Sequence, residues 1–72
     1  MSAIPKRALV HDLRDRPEVE TAYRERDALG AFVEVVLSTP TVPASVLGTI
    51  ANHAVDLQSL DHDAGHTILL LR

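Results

Sequence analysis

The chain has 72 residues, of which 46% are hydrophobic and 24% are charged, with a formal net charge of -3 and no cysteine. This length corresponds to one domain, and the composition is that of a globular rather than a disordered protein. Disulfides and cysteine-based metal sites are excluded, and no apolar run approaches the roughly 20 residues of a membrane-spanning helix. Because the N-terminus also lacks the apolar stretch of a signal peptide, we expect a cytoplasmic protein.

The first predicted element is a short strand. Residues 1–7 are interpreted as an N-terminal tail, and residues 8–13 (ALVHDL) follow them. Apolar and polar residues alternate in this run with a period of two, which places Leu9, His11 and Leu13 on one face of a strand. His11 is therefore expected to be half-buried.

A helix is predicted at about residues 17–28. Pro17 suits the first turn of a helix, because the N–H that proline lacks would be unpaired there. Glu18 follows it, where the helix dipole favours an acid. Arg24 is assigned to the solvated face of this helix, and Gly30 is interpreted as its stop signal.

Residues 32–38 (FVEVVLS) form the clearest predicted strand. The run is rich in β-branched residues and is bounded by Gly30 and Pro40. Because both of its faces are largely apolar, we expect this strand to lie inside the sheet rather than at an edge.

A second helix is predicted to begin near Pro43 or Ser45 and to end near Asn52. Its apolar residues recur at helical spacing along one stripe: Val46, Leu47, Ile50 and Ala51. The remaining sequence predicts a hairpin with strands at residues 55–60 and 66–72. Residues 61–65 (DHDAG) form its turn.

The predicted element order is therefore β-α-β-α-β-β. Two helices on one face of a four-stranded mixed sheet make a two-layer α/β sandwich of the α+β type. Residues 8–72 form this single domain.

Four short segments resemble the TusA/SirA family of small sulfur carriers. Asp12-Leu13-Arg14 followed by Pro17-Glu18 is similar to the family's D-L-R-G and Cys-Pro-Glu signature at a strand-to-helix junction. Asn52-His53-Ala54-Val55 resembles the turn before the family's third strand, and the segment 65–72 resembles its closing strand. The resemblance implies the sandwich fold, which the C-terminal domain of translation initiation factor 3 also shares. Arg16 stands where the family has its sulfur-carrying cysteine, so the resemblance implies a member without that thiol.

The predicted binding site lies at the N-terminus of the first predicted helix. Arg14 and Arg16, with His11 and Glu18 beside them, would place guanidinium groups next to free backbone N–H groups, an arrangement that binds phosphate or carboxylate. The alternative is that Arg14 only pairs with a neighbouring aspartate at the surface.

No catalytic, metal or cofactor site is predicted. The acids and histidines around the predicted hairpin turn are chemically able to bind zinc, but their spacing matches no metal motif; they are Asp61, His62, Asp63 and His66. No serine lies in a nucleophile elbow, and no glycine-rich phosphate loop is present. The sequence therefore predicts a protein that is not an enzyme.

The leading hypothesis is a TusA-like binding module that takes a protein partner or a small anion. One alternative is an accessory subunit of a sulfur-relay or redox enzyme complex. Another is an RNA-binding module, against which the net charge and the scarcity of aromatic residues argue. A further prediction is a homodimer that pairs exposed sheet edges. The last alternative is a precursor peptide in which residues 68–71 form an unstructured tail that another enzyme modifies.

Overall fold

The computed structural model describes residues 5–53 and 55–72. The elements are α1 (Pro5–Arg14), β1 (Val19–Asp27), β2 (Gly30–Leu37), α2 (Ala44–Asn52), β3 (Leu57–Asp63) and β4 (His66–Leu71). The strands form one sheet in the order β1-β2-β4-β3, in which every neighbouring pair is antiparallel. Both helices contribute buried side chains to one apolar core against this sheet.

The predicted α+β architecture of two helices and a four-stranded sheet is confirmed. Two details are corrected. The sheet is entirely antiparallel rather than mixed, and the first two elements are exchanged, so that the order is α-β-β-α-β-β. The exchange arises because part of residues 5–27 fits both the helical period of 3.6 and the strand period of two.

The segment predicted as a strand at residues 8–13 is the second half of α1. Leu9, Val10 and Leu13 are buried, and their spacing of i, i+1 and i+4 is that of one helix face. A run of six residues fits both periods, because Leu9 and Leu13 also share a strand face. The predicted tail is wrong for residues 5–7, which begin α1, while residues 1–4 lie outside the described part of the chain.

The helix predicted at residues 17–28 is wrong, because β1 occupies most of this range. The strand pairs with β2 through a tight turn in which the Leu29 N–H donates to Asp27 Oδ1 at 2.8 Å. Gly30 has φ +119°, a backbone conformation that residues other than glycine rarely adopt. Gly30 therefore closes a hairpin, where a helix stop was expected.

The later elements largely match their predictions. β2 lies inside the sheet, as predicted for residues 32–38, and β4 is the other central strand. The ordered β4 contradicts an unstructured tail. In α2 the buried residues are Val46, Thr49 and Ile50, whereas Leu47 is 49% exposed. The last hairpin turns on Ala64 (φ 51°) and Gly65 (φ 84°) alone, so most of the predicted turn at 61–65 belongs to β3.

The core lies between the helices and one face of the sheet. Side chains from the two central strands that face the helices are fully buried: Val33, Val35, Leu37, Leu69 and Leu71. Because strand side chains alternate, the intervening residues of β2 and β4 lie on the opposite face of the sheet. That face is not covered by any element of residues 5–53 and 55–72.

Arg72 joins the ends of three strands. Its guanidinium donates to the Asp27 carboxylate at the end of β1 and to Gln58 Oε1 in β3. It also lies 5.2 Å from the centre of the Phe32 ring in β2. The hydrogen bond from Arg72 holds the pKa of Asp27 below its ordinary value of 3.8.

Leu13→Ala tests the burial of α1. Leu13 is 0% exposed, and truncating a buried leucine costs about 2–5 kcal/mol. We expect urea unfolding to show a loss of unfolding free energy in this range. Leu47→Ala, at an exposed position of α2, should cost far less. Equal losses for both variants would contradict the burial of Leu13.

Asp27→Asn tests the bond to Arg72 through its dependence on pH. Because the folded-state pKa of Asp27 is lowered, its contribution to stability is present above the unfolded pKa and is lost as pH falls through the folded pKa. Thermal unfolding should show Asp27→Asn to be less stable than wild type at pH 7, and the difference should shrink below pH 3.8. Asp61→Asn is the control, and a difference that does not change with pH would contradict the account.

Candidate functional site: a cationic groove between α1 and β1

One face of α1 carries a basic stripe. Arg7, His11 and Arg14 recur at i, i+4 and i+7, so they lie on the same side of the helix. All three are exposed, and the stripe borders Val10, which is buried in the core. The packing of the helix therefore fixes where the stripe lies.

β1 brings further cations beside this stripe. Arg24 pairs with the buried Val33 across the sheet, so the two residues share the helix-facing side. A groove of about 310 Å³ lies between the elements, lined by Arg7, Val10, His11, Arg14 and Arg24. A neighbouring recess of about 460 Å³ is lined by Lys6, Arg24, Glu25, Arg26 and Ala31. We call these two spaces together the cationic groove.

The cationic groove holds most of the chain's positive charge. Five of the seven Lys and Arg residues line it: Lys6, Arg7, Arg14, Arg24 and Arg26. Among the described residues that line it, Glu25 is the one acid. Among the described residues, the ion pairs join other groups, namely His53 to Asp12, His66 to Glu20 and Arg72 to Asp27.

Arg14 also ties the helix to the strand. Its Nε donates a hydrogen bond to the Ala22 carbonyl oxygen at 2.9 Å. This bond uses one of the five N–H donors of the guanidinium and fixes that group over β1. Arg14 is thus positioned by the fold as well as charged, which distinguishes it from a solvated surface arginine.

Two of the four predicted site residues, His11 and Arg14, lie together in the cationic groove. The predicted half-burial of His11 is wrong, since its side chain is exposed on α1 rather than packed beside Leu9. The predicted location at a helix N-terminus is also wrong. Arg14 ends α1 and Arg16 follows it, and the negative end of the helix dipole favours cations there.

Arg16 lies away from the cationic groove and contacts α2. Its Nε donates to Thr49 Oγ1 at 3.2 Å, and Thr49 Oγ1 donates to the Ser45 carbonyl oxygen at 2.9 Å. Asp12 makes a second link between the helices through His53 Nε2 at 2.7 Å. Arg16 therefore helps to join α1 to α2.

Glu18 precedes β1 and does not cap a helix. Its carbonyl oxygen accepts hydrogen bonds from the Ser38 backbone N–H at 2.9 Å and from Ser38 Oγ at 3.2 Å. Its Oε1 is buried and has no hydrogen-bond partner among residues 5–53 and 55–72. Glu18 is accordingly part of the junction between β1 and the end of β2.

The histidines of the last hairpin lie on opposite faces of the sheet. His62 Nδ1 lies 3.3 Å from Thr67 Oγ1 on the helix side, while His66 Nε2 lies 2.9 Å from Glu20 Oε1 on the other side. Within the described ranges, no group of three or more His, Cys, Asp or Glu residues is placed to hold a metal ion.

No family model matches the chain, and no curated protein or solved structure matches it significantly.

The TusA/SirA resemblance stays a prediction. Its strand-to-helix junction is absent, because Asp12-Leu13-Arg14 ends a helix and Pro17 lies in the loop before β1. In the described part of the chain, neither helix is long and apolar enough to cross a membrane.

A double-mutant cycle tests the structural role of Arg16. Because Arg16 and Thr49 share a partly buried hydrogen bond, Arg16→Ala and Thr49→Val should show a coupling free energy of about 0.5–1 kcal/mol in urea unfolding. The pair Arg7→Ala and Thr49→Val is the control and should be additive. Additive losses for Arg16 and Thr49 would contradict the contact.

Proposed function

We propose that this protein is a non-enzymatic binding module that holds a small, multiply charged anion in the cationic groove. The observation that supports the proposal is the gathering of five cations from two elements on a chain whose net charge is -3. Mutual repulsion between such groups opposes folding. A bound anion would relieve that repulsion.

The residue types suit a ligand with phosphate or carboxylate groups. Guanidinium groups present planar pairs of N–H donors that match the oxygens of both groups. Arg14 is held by its bond to the Ala22 carbonyl, and Arg24 is held on a strand that is paired along its length. The Arg14 side chain, which is already held, loses less freedom when a ligand binds than an unheld arginine would.

The dimensions and lining favour a small ligand over a nucleic-acid strand. The two spaces of the groove, of about 310 and 460 Å³, each lie in the lower half of the range of small-molecule sites. The described lining residues include no Phe, Tyr or Trp, and His11 supplies the one ring among them on which a base could stack. Recognition would rest on charge, and affinity would fall as salt rises.

Calorimetric titration with inorganic tripolyphosphate tests this proposal. We expect binding that weakens as NaCl is raised, and a loss of about fivefold to tenfold in affinity for Arg7→Gln and for Arg24→Gln. Arg16→Gln is the matched control, because it removes the same charge outside the groove and should have a small effect.

Two results would contradict the proposal: absence of binding at millimolar tripolyphosphate, or equal losses for Arg16→Gln and Arg24→Gln. A single-stranded RNA oligonucleotide in a parallel titration separates the ligand classes. RNA that binds far more tightly than tripolyphosphate at the same salt concentration would replace the small anion with a nucleic acid.

A further inference from the structure

The sheet face opposite the helices, here called the outer face, carries an apolar band. Side-chain alternation places Phe32 and Val36 of β2 on it, with Ile68 and Leu70 of β4. Val36 pairs directly with Ile68 across the two central strands. All four side chains remain partly exposed, and no element of the described chain covers them.

Carboxylates surround and interrupt this band. The register places Glu25 opposite Phe32, Asp61 opposite Ile68, and Glu34 between Tyr23 and Leu70. Glu34 is the cross-strand neighbour of Tyr23, and its carboxylate raises the pKa of Tyr23. Glu34 is half-buried within the band.

The basic side chains His66 and Arg72 on the outer face already contact acids. His66 contacts Glu20, and Arg72 contacts Asp27. Within the described residues, Glu25, Glu34 and Asp61 take part in no ion pair. The outer face thus combines partly exposed apolar side chains with the carboxylates of Glu34 and Asp61, and Glu25 lies at the edge that it shares with the cationic groove.

We propose that the outer face docks a cationic amphipathic segment of a protein partner, with apolar side chains on the Val36–Ile68 band and Lys or Arg side chains against Glu25, Glu34 and Asp61. An antiparallel sheet that has one face in water ordinarily presents polar side chains there, so partly exposed apolar side chains grouped on that face indicate an interaction surface. The flanking acids select a positively charged partner. This inference is independent of the proposed function.

The same charges disfavour a second copy of this chain on this face. A two-fold dimer brings the same patch of both copies together. Glu34 lies near the centre of the patch and would meet its own counterpart or another acid of the partner copy. Like charges that face each other across an interface destabilise it. The homodimer predicted from the sequence therefore becomes an outcome that the test distinguishes.

The probe is a synthetic Leu/Lys amphipathic helix of about 15 residues, compared with a Leu/Glu peptide of the same pattern. In NMR titrations of the full chain, the Leu/Lys peptide should shift the methyl signals of Val36, Ile68 and Leu70, and the Leu/Glu peptide should not. Glu34→Gln and Ile68→Ser should each weaken binding about fivefold to tenfold. The exposed Leu60, on the helix side of β3, provides the matched control Leu60→Ser.

Three results would overturn the proposal. They are equal binding of both peptides, peptide-induced shifts confined to the helix side, and an Ile68-dependent dimer of the free chain in light scattering. If Ile68→Ser does not fold, the charge variants Glu34→Gln and Asp61→Asn decide, because each conserves side-chain volume. Arg24→Gln, which tests the cationic groove, should leave peptide binding unchanged, so failure of one site is distinguishable from failure of the other.

Discussion

The burial of three side chains of α1 against the sheet is the constraint on which the rest of the structure depends. Leu9, Val10 and Leu13 are the contribution of α1 to a small core in which every buried residue is aliphatic. A chain of this size buries only about 60% of its unfolded surface, so it has little other apolar area with which to hold its layers together. Once the helix lies on this face, the basic stripe of Arg7 and Arg14 must border β1.

Two surfaces of opposite charge follow from this arrangement. Cations gather where the stripe of α1 meets Arg24 on the helix-facing side of β1. Acids such as Glu34 remain on the opposite face of the sheet. Uneven charge of this kind costs stability through repulsion within each surface. Departures from an evenly mixed surface are expected where a protein binds something, and each surface favours a ligand of the opposite sign.

The sequence predicts the layers and the later elements because their patterns are unambiguous. The β-branched run ending at Leu37 has no helical alternative, and the closing strand is equally clear. The first third of the chain was mispredicted because residues 8–13 fit both periods. The proline that marks a helix start is Pro5, whereas Pro17 lies in a loop. The pairing of β1 with β2 across their hairpin makes residues 19–27 a strand.

The error in the elements carries over to the candidate site. The sequence predicts His11 and Arg14 as binding residues beside a helix N-terminus, and both line the cationic groove, which lies elsewhere, between α1 and β1. Arg7 was assigned to a tail and Arg24 to a solvated helix face, so neither could be placed beside them. The i, i+4, i+7 spacing that marks the stripe has meaning only in a helix.

Backbone and methyl NMR of the isotope-labelled chain tests this account most directly. The account predicts helical carbon shifts for residues 5–14, strand shifts for residues 19–27, and nuclear Overhauser contacts between Leu13 and the Ala22 methyl group in the core. Strand shifts at residues 8–13 with helical shifts at residues 17–28 would contradict it, since the stripe of α1 and its groove against β1 would then not exist.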